Sequence, residues 1–182
     1  NLGCFGDGGA CFTNDENLAE KLGMIVNHGA RVKYCNEIVG MNSRLDTIQA
    51  AVLNVKLKHL DDFIKRRRMA AEVYYQELSD VSFLQLPVKD QKVMHTFNQF
   101  TVRVFDENRE KLKLFLKEKS IPAMVYYPVP LHLQPVFSPF FHRDFSLPTG
   151  EMLCSQVLSL PMHTELTSEK QLFITDTIKQ FL

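Results

Sequence analysis

The feature that most constrains this sequence is a long proline-free stretch with the apolar spacing of a helix. Apolar side chains recur on one helical face at Leu45, Ile48, Val52 and Val55. No proline interrupts the pattern before Pro87, so it predicts one helix over 45–78. Such a helix would be roughly 50 Å long, which is more than one small core requires. We therefore expect it to link two packing units.

The start of this predicted helix is unusually polar. Ser43 can cap the N-terminus, and Asp46 three residues later gives an acidic variant of the capping box. Asn42 and Arg44 beside them admit two interpretations. They are either ordinary cap and loop residues or, because a helix N-terminus offers amide donors and a positive dipole end, part of an anion-binding site.

Charge and composition exclude several classes of protein. The 182 residues carry 21 basic and 21 acidic side chains, and zero net charge argues against a general nucleic-acid or anionic-membrane binder. The four cysteines are too sparse for a disulfide scaffold or a zinc site, and the histidines form no metal-binding pattern. No apolar run approaches the roughly 20 residues that span a membrane. We expect a cytoplasmic protein with no membrane, nucleic-acid or metal partner.

Flanking the long helix, the chain alternates helical and strand patterns and predicts an α/β fold. Before it, the glycine-rich residues 3–14 predict a hairpin, or a turn with a strand, at Asp7-Gly8, and a helix capped by Thr13 or Asn14 follows. After it come strand patterns at 81–87, 100–104, 121–126 and 158–160, with helices after Asp106, at Pro148 and from about Thr167. The predicted segments are 1–44, the helix 45–78, and a small α/β domain over 79–182.

A tyrosine- and proline-rich segment lies within the predicted small domain. Residues 126–135 cannot be helical because three prolines fall within them. Tyr126, Tyr127 and His132 either line a ligand pocket or cover the core of the domain. The residues themselves leave both interpretations open.

Three segments, taken together, resemble a known family. They are residues 1–14, residues 40–51, and residues 127–134 with 158–162. In this order and spacing they resemble the DegT/StrS-type sugar aminotransferases, which are pyridoxal-phosphate enzymes of fold type I, the aspartate aminotransferase fold. The likeness covers the whole chain but only the C-terminal half of a family member.

The resemblance implies an activity and an assembly. Members form homodimers with active sites between subunits, and they usually transfer an amino group from glutamate to a nucleotide-linked keto-sugar. Such reactions serve surface-polysaccharide or amino-sugar biosynthesis. A lysine in a Ser-x-Lys-Asn-Leu-Gly pattern forms the Schiff base with the cofactor, and it would directly precede Asn1. The chain as given is therefore expected to be inactive alone.

The resemblance also assigns roles to residues. Asn42 matches a residue that hydrogen-bonds the neighbouring subunit's cofactor phosphate, and Arg44 matches one near that subunit's sugar nucleotide. Tyr126 and Tyr127 match a pair that lines the sugar pocket, and we add His132 as a substrate-binding candidate. The family often has histidine where Tyr126 and Asn36 stand, so the sugar is not defined by the motifs.

Two alternatives remain at this stage. A dehydratase relative of the same fold has histidine in place of the Schiff-base lysine, and the residue before Asn1 would decide between the two. The other alternative is a non-catalytic dimerisation or binding module.

Overall fold

A computed structural model describes residues 2–140 and 145–181. The chain divides between Leu60 and Asp61 into two compact units. No helix in the described residues is both long and apolar enough to cross a membrane.

The first unit contains two helices and a small antiparallel hairpin. In chain order these are α1 (Glu16–Val26), β1 (Ala30–Val32), β2 (Cys35–Asn36) and α2 (Thr47–Leu57). The carboxylate of Asp15 accepts the backbone N–H groups of Asn17 and Leu18, so Asp15 caps α1 rather than the predicted Thr13 or Asn14. The strand predicted within residues 3–14 is absent from the described residues 2–14, which form an irregular segment.

Two glycines let the chain pack closely where α1 ends. Gly29 has φ of +75°, and its N–H donates to the carbonyl of Met24 at 2.7 Å, which satisfies a terminal carbonyl of α1. A Cβ atom at Gly40 would collide with the backbone nitrogen of Gly29. The segment that leads to α2 therefore lies directly against the end of α1.

The prediction of one helix over 45–78 is wrong. The structure has α2 and a second helix, α3 (Leu60–Leu78), separated by Lys58 and His59. The His59 N–H donates to the carbonyl of Lys56 three residues back, at 3.0 Å, and this tighter turn interrupts the helical ladder. The predicted capping box is also wrong, because α2 starts only at Thr47 and Asp46 makes no side-chain cap bond.

The second unit is a three-stranded antiparallel sheet packed with helices. Its further elements are β3 (Leu84–Gln85), β4 (Phe100–Val104), α4 (Arg109–Glu118), α5 (Pro148–Gln156), β5 (Val157–Leu160) and α6 (Ser168–Lys179). The strand order is β3-β4-β5. The strand predicted at 121–126 is wrong, because this stretch makes only one isolated bridge, from Met124 to Ser159.

The core of the second unit joins the sheet to α3, α4 and α6. Alternate residues of β4 point inward, and the buried side chains include Phe100, Val102, Leu112, Leu116 and Ile178. Tyr74 of α3 is fully buried, and its hydroxyl donates to the carbonyl of Pro161 at 2.7 Å. The buried hydroxyl of the neighbouring Tyr75 has no partner among the described residues.

Candidate functional site

The predicted site residues fall into two groups, one in each unit. Asn42 and Arg44 belong to the first unit, and Tyr126, Tyr127 and His132 belong to the second. The structure brings Asn42 into contact with Arg44 and places the rings of Tyr126 and Tyr127 side by side, whereas His132 contacts Glu151 and Phe145.

The position of Asn42 is set by backbone hydrogen bonds on either side of it. The N–H of Met41 donates to the carbonyl of Ile25 at 2.7 Å, and the N–H of Ser43 donates to the carbonyl of Val26 at 3.0 Å. Both acceptors lie in the last turn of α1. Asn42 is thus held by the end of one helix, five residues before the next helix begins.

The side chains of Asn42 and Arg44 contact each other. Nε of Arg44 donates to Oδ1 of Asn42 at 3.0 Å. This bond does not use Nδ2 of Asn42 or the two terminal guanidinium nitrogens of Arg44, which remain available as donors. No carboxylate in residues 2–140 and 145–181 forms a salt bridge with Arg44. The pair offers several unopposed donors to an anion.

These donors open onto a cavity of about 790 Å³ between the glycine-rich segment and the start of α2. It is lined by Asp7, Gly8, Gly9, Asn42, Ser43, Arg44, Leu45, Asp46 and Thr47. The N-terminus of α2 adds its unsatisfied amides and positive dipole end. Asp7 and Asp46 line the same cavity, so its suitability for an anion rests on the donors of Asn42, Arg44 and the start of α2.

A second cavity, of about 480 Å³, shares Arg44 with the first. Its lining consists of Asn27, His28, Ala30, Lys33, Tyr34, Asn36 and Arg44. The ammonium of Lys33 lies 5.0 Å from the centre of the Tyr34 ring. Of the hairpin residues that line this cavity, sequence reasoning singled out only Asn36, a position where the resemblance implies a frequent histidine.

In the second unit, Tyr126 and Tyr127 lie beside a point where the chain is anchored to the sheet. Met124 and Ser159 exchange two backbone hydrogen bonds, of 3.1 and 2.7 Å. The tyrosine rings lie 5.7 Å apart, with Tyr126 39% and Tyr127 72% exposed. This exposure excludes the core-covering interpretation for Tyr127 and weakens it for Tyr126.

His132, in contrast, is buried, and its ring is hydrogen-bonded to the side chain of Glu151. It is 8% exposed, and its Nε2 lies 3.0 Å from Oε1 of Glu151. The same carboxylate oxygen accepts the N–H of Leu147 at 2.8 Å and the hydroxyl of Ser146 at 2.9 Å. The Leu147 N–H, followed by the bonds from His132 and Ser146, lowers the pKa of Glu151.

Sequence reasoning did not find Glu151 or Ser146. The available signal was an acidic residue in the first turn of a helix that begins at Pro148. That signal predicts a favourable helix dipole interaction but no link to His132. Among the described residues, no cluster of three or more histidine, cysteine, aspartate or glutamate side chains could hold a metal ion.

Comparison with known proteins shows which family this chain resembles. The profile of the DegT/DnrJ/EryC1/StrS aminotransferase family matches residues 1–179. The "Pleiotropic regulatory protein" of Geobacillus stearothermophilus is 43% identical over 183 residues, covering 100% of this chain and 49% of that protein. The dTDP-3-amino-3,4,6-trideoxy-alpha-D-glucose transaminase of Streptomyces venezuelae is 41% identical over 181 residues, covering 100% of this chain and 47% of that protein.

A solved structure agrees with the fold. The crystal structure of S. venezuelae DesV in complex with a ketimine intermediate superposes with a TM-score of 0.89 at 41% identity, covering 98% of this chain and 48% of that one. The predicted α/β class is thereby confirmed. The chain spans about half the length of the curated relatives it matches. It belongs to the DegT/DnrJ/EryC1/StrS aminotransferase family.

Proposed function

We propose that this chain is the C-terminal half of a pyridoxal-phosphate-dependent aminotransferase that acts on nucleotide-linked keto-sugars. We expect glutamate to be the amino donor. We expect the product to serve amino-sugar or surface-polysaccharide synthesis, and the enzyme to work in the cytoplasm. The observation that carries the proposal is the Asn42–Arg44 pair, whose outward donors open onto a cavity at the N-terminus of α2. The transaminase from S. venezuelae, at 41% identity, supports the sugar-nucleotide class.

The residues of the first cavity fit the phosphate of the cofactor. Nδ2 of Asn42 and the amides at the start of α2 are the donor types that phosphate oxygens accept. When bound, pyridoxal phosphate supplies the electron sink that makes transamination possible. We propose that Asn42 holds the phosphate of the cofactor bound to the partner subunit in a homodimer.

Arg44 is proposed to recognise the sugar nucleotide. Its Nε is bonded to Asn42, which fixes the plane of the guanidinium and leaves its two terminal nitrogens for a ligand. Two parallel donors in a plane suit a diphosphate better than a single ammonium does. The shared position of Arg44 between the two cavities supports this role.

Tyr126 and Tyr127 are proposed to form part of the wall that contacts the sugar. Their exposed rings offer apolar area, and their hydroxyls offer a polar tip. His132 was predicted as a further substrate contact, but its ring is buried and bonded to Glu151.

A second candidate function is regulation by binding without catalysis. One observation favours it: a relative at 43% identity bears the name "Pleiotropic regulatory protein". In that case the same anion site would bind a ligand without transamination.

The test uses the full-length protein loaded with pyridoxal phosphate. Glutamate is expected to convert the cofactor to its pyridoxamine form, which is followed by absorbance, and a dTDP- or UDP-linked 3-keto-sugar is expected to restore the pyridoxal form. Arg44→Lys keeps the charge but loses the planar fork, and should raise the KM for the sugar nucleotide about tenfold. Arg31→Lys is the matched control, because Arg31 pairs with Glu20 and Glu37 on the surface. If glutamate leaves the cofactor unchanged, the aminotransferase proposal is wrong and the binding function is favoured.

A further inference from the structure

One carboxylate oxygen of Glu151 accepts hydrogen bonds from three residues of the second unit. It accepts from His132 in the short turn at Leu131–Leu133, from Ser146, and from the Leu147 N–H just before α5. The His132 ring also lies edge-on to Phe145, at 5.6 Å between ring centres. This cluster joins residues separated by up to 19 positions in the sequence.

Along the sequence, the tyrosine pair lies between Met124, which is bonded to the sheet, and His132, which belongs to this cluster. On one side, the two backbone bonds between Met124 and Ser159 fix the chain to β5. On the other side, His132 follows Tyr127 by five residues, two of which are Pro128 and Pro130. Proline fixes φ near −65°, so this connection is short and stiff. A displacement of His132 is therefore transmitted to Tyr126 and Tyr127.

The burial of His132 argues for an indirect role. Its ring is 8% exposed, whereas both tyrosine rings are open to solvent. Nε2, the nitrogen nearest to Glu151, is already engaged at 3.0 Å. A residue that binds substrate directly needs a free polar atom at the pocket surface, and the exposed tyrosine hydroxyls meet that need better.

We propose that His132 and Glu151 form a clasp that sets the position of Tyr126 and Tyr127 and thereby the affinity for the sugar substrate. Both are positioning residues. The inference rests on the proposed function for the contact between the tyrosines and the sugar. The clasp acts on the sugar half-reaction and leaves the glutamate half-reaction unchanged.

The test separates the hydrogen bond from ring packing. His132→Phe keeps an aromatic ring beside Phe145 but removes the bond to Glu151. In the full-length enzyme we expect the KM for the sugar nucleotide to rise about ten- to hundredfold, while glutamate converts the cofactor at the wild-type rate. Glu151→Gln retains an acceptor oxygen and should show a smaller rise. Ser138→Ala, which removes a side-chain bond in the same segment, is the control and should behave like wild type.

The sugar probe is dTDP-3-amino-3,4,6-trideoxy-alpha-D-glucose, used as amino donor in the reverse direction. Hydrogen–deuterium exchange supplies a readout that needs no substrate. In His132→Phe, the amides of Tyr126 and Tyr127 should exchange faster, while those of β4 keep the wild-type rate. Unchanged exchange at the tyrosines, or a uniform increase over the unit, overturns the clasp.

The two proposals fail in different ways. A wild-type protein whose cofactor does not respond to glutamate refutes the aminotransferase, and the exchange result then decides the clasp by itself. If the wild type reacts with the probe and His132→Phe has an unchanged KM, the clasp is refuted and the aminotransferase stands.

Discussion

Replacing Asn42 by alanine tests the proposed phosphate contact most directly. The substitution removes the Nδ2 donor and the acceptor that holds Nε of Arg44. A hydrogen bond to a charged group contributes about 1.5–3 kcal/mol, and about 1.4 kcal/mol corresponds to a factor of ten. Cofactor affinity should therefore fall about ten- to hundredfold. Stability should change little, because Asn42 is exposed and α2 begins only at Thr47.

The assay is the fraction of protein that retains pyridoxal phosphate after equilibration at graded free cofactor concentrations. The matched control is Asn17→Ala, which removes an exposed asparagine side chain from α1. Thermal melting of the cofactor-free proteins checks folding. A loss of stability with unchanged cofactor affinity would show that Asn42 is merely structural.

Mixed dimers determine which subunit Asn42 serves. In this chain Asn42 lines the same cavity as Gly8 and Gly9, so a contact within one subunit has to be tested as well. Subunits with Asn42→Ala are mixed with subunits whose cofactor-binding lysine is replaced by alanine. If Asn42 acts across the interface, the mixed dimer contains one site with both groups intact, and activity returns. The assay is run at a cofactor concentration that leaves Asn42→Ala largely unloaded. Mixed dimers that form and stay as inactive as their parents then refute a contact across the interface.

Three further predictions concern stability and are checked by urea unfolding. Tyr74→Phe should destabilise the protein by about 0.5–1.5 kcal/mol, because it removes the hydrogen bond to the half-buried carbonyl of Pro161. Tyr75→Phe should be neutral, because its buried hydroxyl has no partner among the described residues. Gly40→Ala should cost about 1–3 kcal/mol through a backbone collision, whereas Gly23→Ala, with open space around it, should be neutral or stabilising. The pKa of Glu151 is lowered in the folded state by its hydrogen bonds. Its contribution to the free energy of unfolding is therefore fully present above the pKa of a free glutamate, about 4.3, and is lost as the pH falls through the lowered pKa of the folded state. Glu151→Gln should remove this acid dependence.

Local periodicity predicted those helices and strands in which the buried side chains recur at regular spacing along one face. The alternation at 100–104 is β4, and the predicted helix from about Thr167 is α6, capped by the Thr167 hydroxyl. Periodicity could not locate the break at Lys58 and His59. The apolar pattern reports which face is buried, but the break depends on a backbone bond to Lys56 that leaves the pattern intact.

Contacts between distant residues explain what the sequence could not predict at the candidate site. The motif identified Asn42 and Arg44 but not their mutual bond, and it predicted a cap that the later start of α2 excludes. Sequence reasoning missed Glu151 because its hydrogen-bond partner is a histidine 19 residues away. An acidic residue in a first helical turn is too common to indicate such a link.

The anchors of the two site-bearing segments are made by backbone atoms. Met41 and Ser43 fix the first segment to α1, and Met124 fixes the second to β5, in each case through main-chain groups. Side chains between or beside the anchors can change without loss of these bonds. Tyr126, one of the proposed substrate contacts, lies two residues after the anchor at Met124. With the proposed sugar contact at Tyr126, a substitution there would change the side chain that faces the sugar while the backbone bonds of Met124 stay in place, which is a physical route to a different sugar specificity.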